Sequence, residues 1–100
     1  MIEKRSYKNN LIVTSEQIRA GRALIKWSAE DLAKHSGVGV ATIRRLEGSF
    51  GTPSSNARTL EQLRRCLELA GVEFIGSPEA GPGVRLWRKD EDPIKSGEKL

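Results

Sequence analysis

Between Val13 and Glu47 three helix starts follow one another with almost no chain between them, and this constrains the fold more than any other feature of the sequence. The first is Thr14-Ser15-Glu16-Gln17, in which the threonine can cap the amide of Gln17 and the glutamine side chain can reach back. Val13 and Ile18 flank it at the positions of a hydrophobic staple. Ile18, Gly21, Ala23, Leu24, Ile25 and Trp27 then recur at helical spacing, which predicts helix one over about 15–26. Gly21 weakens that helix, and the expected offset is a close approach by another helix. Ser28 with Asp31, bracketed by Trp27 and Leu32, starts helix two over about 29–36. Gly37 suits the left-handed residue that ends a helix, and Gly39, between Val38 and Ile43, starts helix three over about 40–47. Two short helices joined by so compact a turn make a helix-turn-helix.

The rest of the chain follows from punctuation and period. Gly48 to Ser55 is a loop by composition. Asn56 can cap helix four, whose apolar stripe is Leu60, Leu63, Leu67 and Ala70 and which Gly71 ends. After Gly71 the period shortens. Val72-Glu73-Phe74-Ile75 and Val84-Arg85-Leu86-Trp87-Arg88 read as strands joined by the turn-rich segment 76–83, a two-stranded hairpin. The expected organisation is an N-terminal arm at 1–13, a helical domain at 14–71, a hairpin at 72–88 and a charged, disordered tail at 89–100. The fold class is mainly α: a four-helix bundle followed by a C-terminal β-hairpin.

Composition narrows the chemistry. At 100 residues the chain has the length of one domain with one small core. With 30% charged and 37% hydrophobic residues it suits neither a membrane protein nor a wholly disordered one. No apolar run approaches the roughly 18–20 residues of a membrane span, and no secretory signal follows Met1. The expected compartment is the cytoplasm. Cys66 is the sole cysteine and His35 the sole histidine, so one chain cannot form a disulfide or complete a zinc site. No cofactor and no metal are expected. The net charge of +4 and pI near 9.6 suit a polyanionic partner without requiring one. Its distribution says more: residues 14–71 hold nine basic side chains against six acidic, whereas 72–100 hold five against six. The positive excess therefore lies with the helices and the arm before them.

The run Ser28-Ala29-Glu30-Asp31-Leu32-Ala33-Lys34-His35-Ser36-Gly37-Val38-Gly39-Val40-Ala41-Thr42-Ile43-Arg44-Arg45-Leu46-Glu47 resembles the helix-turn-helix of the XRE family, the DNA-binding domains similar to the lambda repressor and Cro. The markers are Leu32-Ala33, Gly37, Ile43, Leu46 and Glu47 followed by Gly48, and the resemblance covers about 14–70. It implies a lambda-repressor-like bundle of four or five helices that binds double-stranded DNA as a dimer. It also places a largely buried ion pair at Arg22 and Glu47. Three features depart from the pattern. Ala29 stands where the family often has a phosphate-holding Gln, Gly39 stands where it prefers Ser or Thr, and a hairpin takes the place of a fifth helix.

The residues' own chemistry agrees at helix three. With Ile43 and Leu46 turned inward, Val40, Ala41, Arg44 and Arg45 fall on the outer face. Arginine can donate two hydrogen bonds to a guanine edge, and a small apolar side chain can meet a thymine methyl, so these four are the expected base contacts in the major groove. Thr42, Ser54, Ser55, Asn56 and Arg58 are the expected phosphate contacts. His35 reads as a helix-end residue, Cys66 as a small half-buried hydrophobe, and Trp27 and Trp87 as packing residues. Lys4, Arg5 and Lys8 read as a solvated arm. Phe74, Ile75, Leu86 and Trp87 make both faces of the hairpin apolar, so one face can cover helix four and the other can join a second copy in a homodimer. The expectation is therefore a DNA-binding regulator of the repressor type rather than an enzyme, with no membrane partner. The alternative is an antitoxin or adaptor whose segment 72–100 grips a protein partner.

Overall fold

The computed structural model describes residues 12–53 and 57–87. The arm with Lys4, Arg5 and Lys8, the tail from 89 onward, Arg88, and Ser54, Ser55 and Asn56 lie outside the described residues. Among the described residues, four helices and one antiparallel hairpin follow in order: α1 (Ser15–Leu24), α2 (Ala29–Ser36), α3 (Val40–Glu47), α4 (Ala57–Leu69), β1 (Val72–Ser77) and β2 (Ala80–Leu86). The chain is mainly α with a C-terminal hairpin. No helix among the described residues is long and apolar enough to cross a membrane.

Local caps set the helix starts as their sequences require. Thr14 Oγ1 accepts from the Gln17 amide at 3.0 Å while Gln17 Oε1 accepts from the Thr14 amide at 2.9 Å. Ser28 and Asp31 repeat the exchange at α2, at 3.0 and 2.8 Å. Gly37 closes α2 in the left-handed conformation, and α3 starts at Gly39 with no side-chain cap.

Two expectations about helix one change. It ends at Leu24 rather than near 26, because Lys26 takes a left-handed φ of 57°. The Lys26 amide then donates to the Ala23 carbonyl and the Trp27 amide to the Arg22 carbonyl, the paired bonds of a Schellman ending. The close approach at Gly21 comes first from a strand. A Cβ there would lie 3.1 Å from Val72 Cγ1 on β1 and 3.6 Å from Leu67 Cδ1 on α4.

The hairpin pairs Val72 with Leu86, Glu73 with Arg85, Phe74 with Val84 and Ile75 with Gly83, with a bulge between Ile75 and Ser77. Toward the turn its strands run further than expected, so the connection is the short Pro78-Glu79 turn rather than all of 76–83, while β2 ends at Leu86 and leaves out Trp87, which was expected within it. Gly71 makes the join from α4: its φ is 110°, and a Cβ would lie 2.4 Å from the Trp87 carbonyl oxygen. No L side chain fits that place. The ribbon packs across α1 as well as α4, and Gln17 fastens it there. The Gln17 Nε2 group donates to the carbonyls of Ile75 and Gly83 at 3.0 and 2.9 Å.

Val13, Ile18, Leu32, Ile43, Leu46, Leu63 and Leu67 fill one core, and Val72 and Phe74 complete it from the hairpin. The register puts Val84 and Leu86 on that same inner face, leaving Glu73, Ile75, Arg85 and Trp87 outside. Phe74, expected at a dimer surface, is 4% exposed and belongs to the chain's own core. Leu86 also faces inward, half-buried. Only Ile75 and Trp87 of the four expected dimer residues lie on the outer face.

Candidate nucleic-acid interface

Helix α3 owes its orientation to what it buries. Ile43, Leu46 and Glu47 are turned inward. At about 100° per residue the opposite face then carries Ala41, Arg44 and Arg45, with Val40 and Thr42 at its two margins. Ala41, Arg44 and Arg45 are exposed. Val40 departs from expectation: it is half-buried and packs against the core, because its place on the wheel adjoins Glu47 and Ile43. Thr42 is likewise half-buried.

A charged contact that local pattern cannot display locks this orientation. Arg22 of α1 donates from Nε and Nη2 to the two carboxylate oxygens of Glu47, at 2.9 and 2.7 Å. Glu47 is 7% exposed, whereas the Arg22 side chain keeps 22% of its surface. Arg22 Nη1 also donates to the Trp27 carbonyl at 2.9 Å, so one guanidinium ties α3 to the turn before α2. The hydrogen bonds that it donates to Glu47 raise the Arg22 guanidinium above its ordinary pKa. Arg19 adds a bond from Nη1 to the Glu47 carbonyl, satisfying one of the open acceptors at the end of α3. The ion pair that the family resemblance places at these positions is present, with a fork geometry that a lysine would not reproduce.

Around the exposed face, Arg45 forms no ion pair among the described residues, while Arg44 is held by the Glu30 carboxylate of α2. Gly39 leaves the first amides of α3 without a side-chain acceptor. Arg58, in the first turn of α4, is exposed. No protein-family model matches the chain, and no curated protein matches its sequence. The exposed face of α3 is therefore a candidate by its residues and their geometry alone.

Of the other candidates, Trp27 and Cys66 pack half-buried, whereas His35 and Trp87 are exposed, so Trp87 departs from the packing role expected of it. His35 stacks on Trp27 with ring centres 4.3 Å apart and planes 13° from parallel. Cys66 is half-buried beside them in a hollow shared with Leu69 and Ala70, and burial pushes its thiol pKa up, away from a reactive thiolate. Trp87 lies on the outer face of the hairpin, where its indole N–H donates to Glu73 Oε1 at 2.6 Å and the Arg85 guanidinium lies 5.9 Å from its ring centre. No group of three or more His, Cys, Asp or Glu side chains able to hold a metal is found among the described residues. The Glu30–Arg44 contact escaped the sequence reading. Fourteen residues separate the partners, and no spacing rule links the first turn of one helix to the last turn of the next.

Proposed function

We propose that the chain is a sequence-specific double-stranded DNA-binding regulator, a dimeric repressor with a lambda-repressor-like arrangement of helices, and that α3 reads the major groove. The observation that carries the reading is the exposed Ala41–Arg44–Arg45 face on a helix locked by the Arg22–Glu47 fork. A groove-reading helix needs a fixed aim, and the fork supplies it from a residue that belongs to neither helix of the motif. The proposal is of a binding protein, not an enzyme, and needs no cofactor. Arg45 is assigned to base edges and Arg58 to phosphate.

Selection of bound fragments from a random duplex pool returns the site, and titration of that site across salt tests the binding mode. Affinity is expected to fall with a log–log slope near −0.9 for each phosphate neutralised. Arg45→Ala is expected to relax preference at particular base pairs by about 1–3 kcal/mol, and Arg58→Ala to weaken all sequences alike. Salt-independent affinity, or an Arg45→Ala variant with intact preference, sinks the reading. The rival, an antitoxin or adaptor that grips a protein through 72–100, draws on the exposed Trp87 with Arg85 and Glu73 beside it. Such a protein would co-purify with its partner.

A further inference from the structure

The side chain of Arg44 is engaged before any ligand arrives. Its guanidinium meets the Glu30 carboxylate across the angle between α2 and α3, and both side chains remain more than half exposed, at 58% and 63%. An ion pair this open to water adds little to stability. Its consequence lies in what it denies to Arg44.

Glu30 sits in the first turn of α2, where the start of a helix favours negative charge. Its own backbone amide and then the Arg44 guanidinium hold its carboxyl below the ordinary carboxylate range, so it is charged at neutral pH. A carboxylate set between its own amide and a guanidinium presents the single charge and acceptor oxygens that a backbone phosphate would. Glu30 also lines the shallow groove between α2 and α3 together with Lys34, Val38, Gly39 and Val40, at the margin of the exposed face.

We infer that Glu30 is a specificity-determining residue: it stands in for phosphate within the protein, withholding Arg44 from the DNA backbone and releasing it only to a base edge that offers better geometry. This rests on the DNA-binding reading above. Binding to an unmatched duplex is almost wholly a matter of neutralising phosphates. Glu30 removes one cation from that work and adds one anion beside the backbone. On a matched site a guanine edge accepts two hydrogen bonds from Arg44 in a fixed geometry, which competes better with the carboxylate than a loosely placed phosphate does. Discrimination is a difference of two affinities, so weakening the wrong complex more than the right one raises it.

The test measures affinity of wild type, Glu30→Gln, Arg44→Ala and the double variant for a mixed-sequence duplex and for the duplex selected from a random pool, across salt. Glu30 is exposed, and the amide keeps its shape, so the fold is retained. Glu30→Gln is expected to bind the mixed-sequence duplex about 3–5-fold more tightly, with a salt slope steeper by about 0.9, the equivalent of one more phosphate. Affinity for the selected duplex changes less, so the ratio between the two falls. In the Arg44→Ala background the same substitution is expected to lose most of its effect. Unchanged affinity and slope on the mixed-sequence duplex overturn the inference, as does an equal gain with and without Arg44. Both outcomes leave the DNA reading standing. A wild-type chain that binds neither duplex overturns that reading and this inference with it.

Discussion

Lys26 shows how a single backbone angle ends a helix. Its φ of 57° is the only left-handed conformation at a non-glycine among the described residues, and the two Schellman bonds of Lys26 and Trp27 require it. The conformation costs an L residue about 1–2 kcal/mol, whereas glycine adopts it freely at an entropic cost of about 0.5–1 kcal/mol. Lys26→Gly is therefore expected to stabilise the protein by about 0.5–1 kcal/mol, read as a higher denaturant midpoint with unchanged slope. A loss of stability would mean that the lysine side chain contributes more than the strain removes. Gln17 marks the other extreme of side-chain use. Its carbonyl completes a cap and its amide nitrogen bridges two carbonyls of the hairpin, so a buried polar group is satisfied at both ends.

Among the elements, α3 is the one whose placement depends most on a partner far away in the chain. Eight residues make a helix too short to persist alone, and its aim comes from the buried Ile43 and Leu46 and from the Arg22–Glu47 fork. Removing one member of a buried pair costs about 3–5 kcal/mol, against about 0–1 kcal/mol for an exposed pair. Glu47 is buried and Arg22 is partly hydrated with a second acceptor at Trp27, so Glu47→Gln is expected to cost about 3 kcal/mol, near the lower bound of that range. Denaturant melts decide it: a loss below about 1 kcal/mol would show that the fork behaves as a surface pair.

On the scale of the whole molecule, the hairpin divides into two faces with different duties. Val72 and Phe74 close the core over α1 and α4, while Ile75 and Trp87 look outward. Phe74→Ala is expected to cost about 3–5 kcal/mol, as truncation of a buried aromatic does, a large share of the roughly 5–15 kcal/mol that holds a domain folded. Trp87, 57% exposed, is expected to change stability by less than about 0.5 kcal/mol on replacement by alanine. If the outer face joins two copies, sedimentation of Trp87→Ala will show weaker self-association with the fold intact; unchanged association moves the interface elsewhere. Ending the chain after Gly71 does not make this separation, since it strips the core together with the outer face.

The local signals were legible in the residues themselves. Both capping boxes, the left-handed Gly37 and the helices themselves rest on contacts within a few positions of one another, and such contacts leave a pattern in the sequence, while the hairpin shows itself by the change of period after Gly71 and the turn residues between its strands. The inward turn of Ile43 and Leu46, and with it the exposure of Arg44 and Arg45, could be read the same way. What the tertiary structure alone decided are the meetings of residues distant in the chain. Strand β1 came to lie against Gly21 more closely than helix α4 did, Gln17 reached carbonyls 58 and 66 positions away, Phe74 was taken into the core, and Glu30 captured Arg44. Periodicity records which side of an element is apolar. It carries no information about which other element will cover that side, because packing is selected by shape and volume across the whole core.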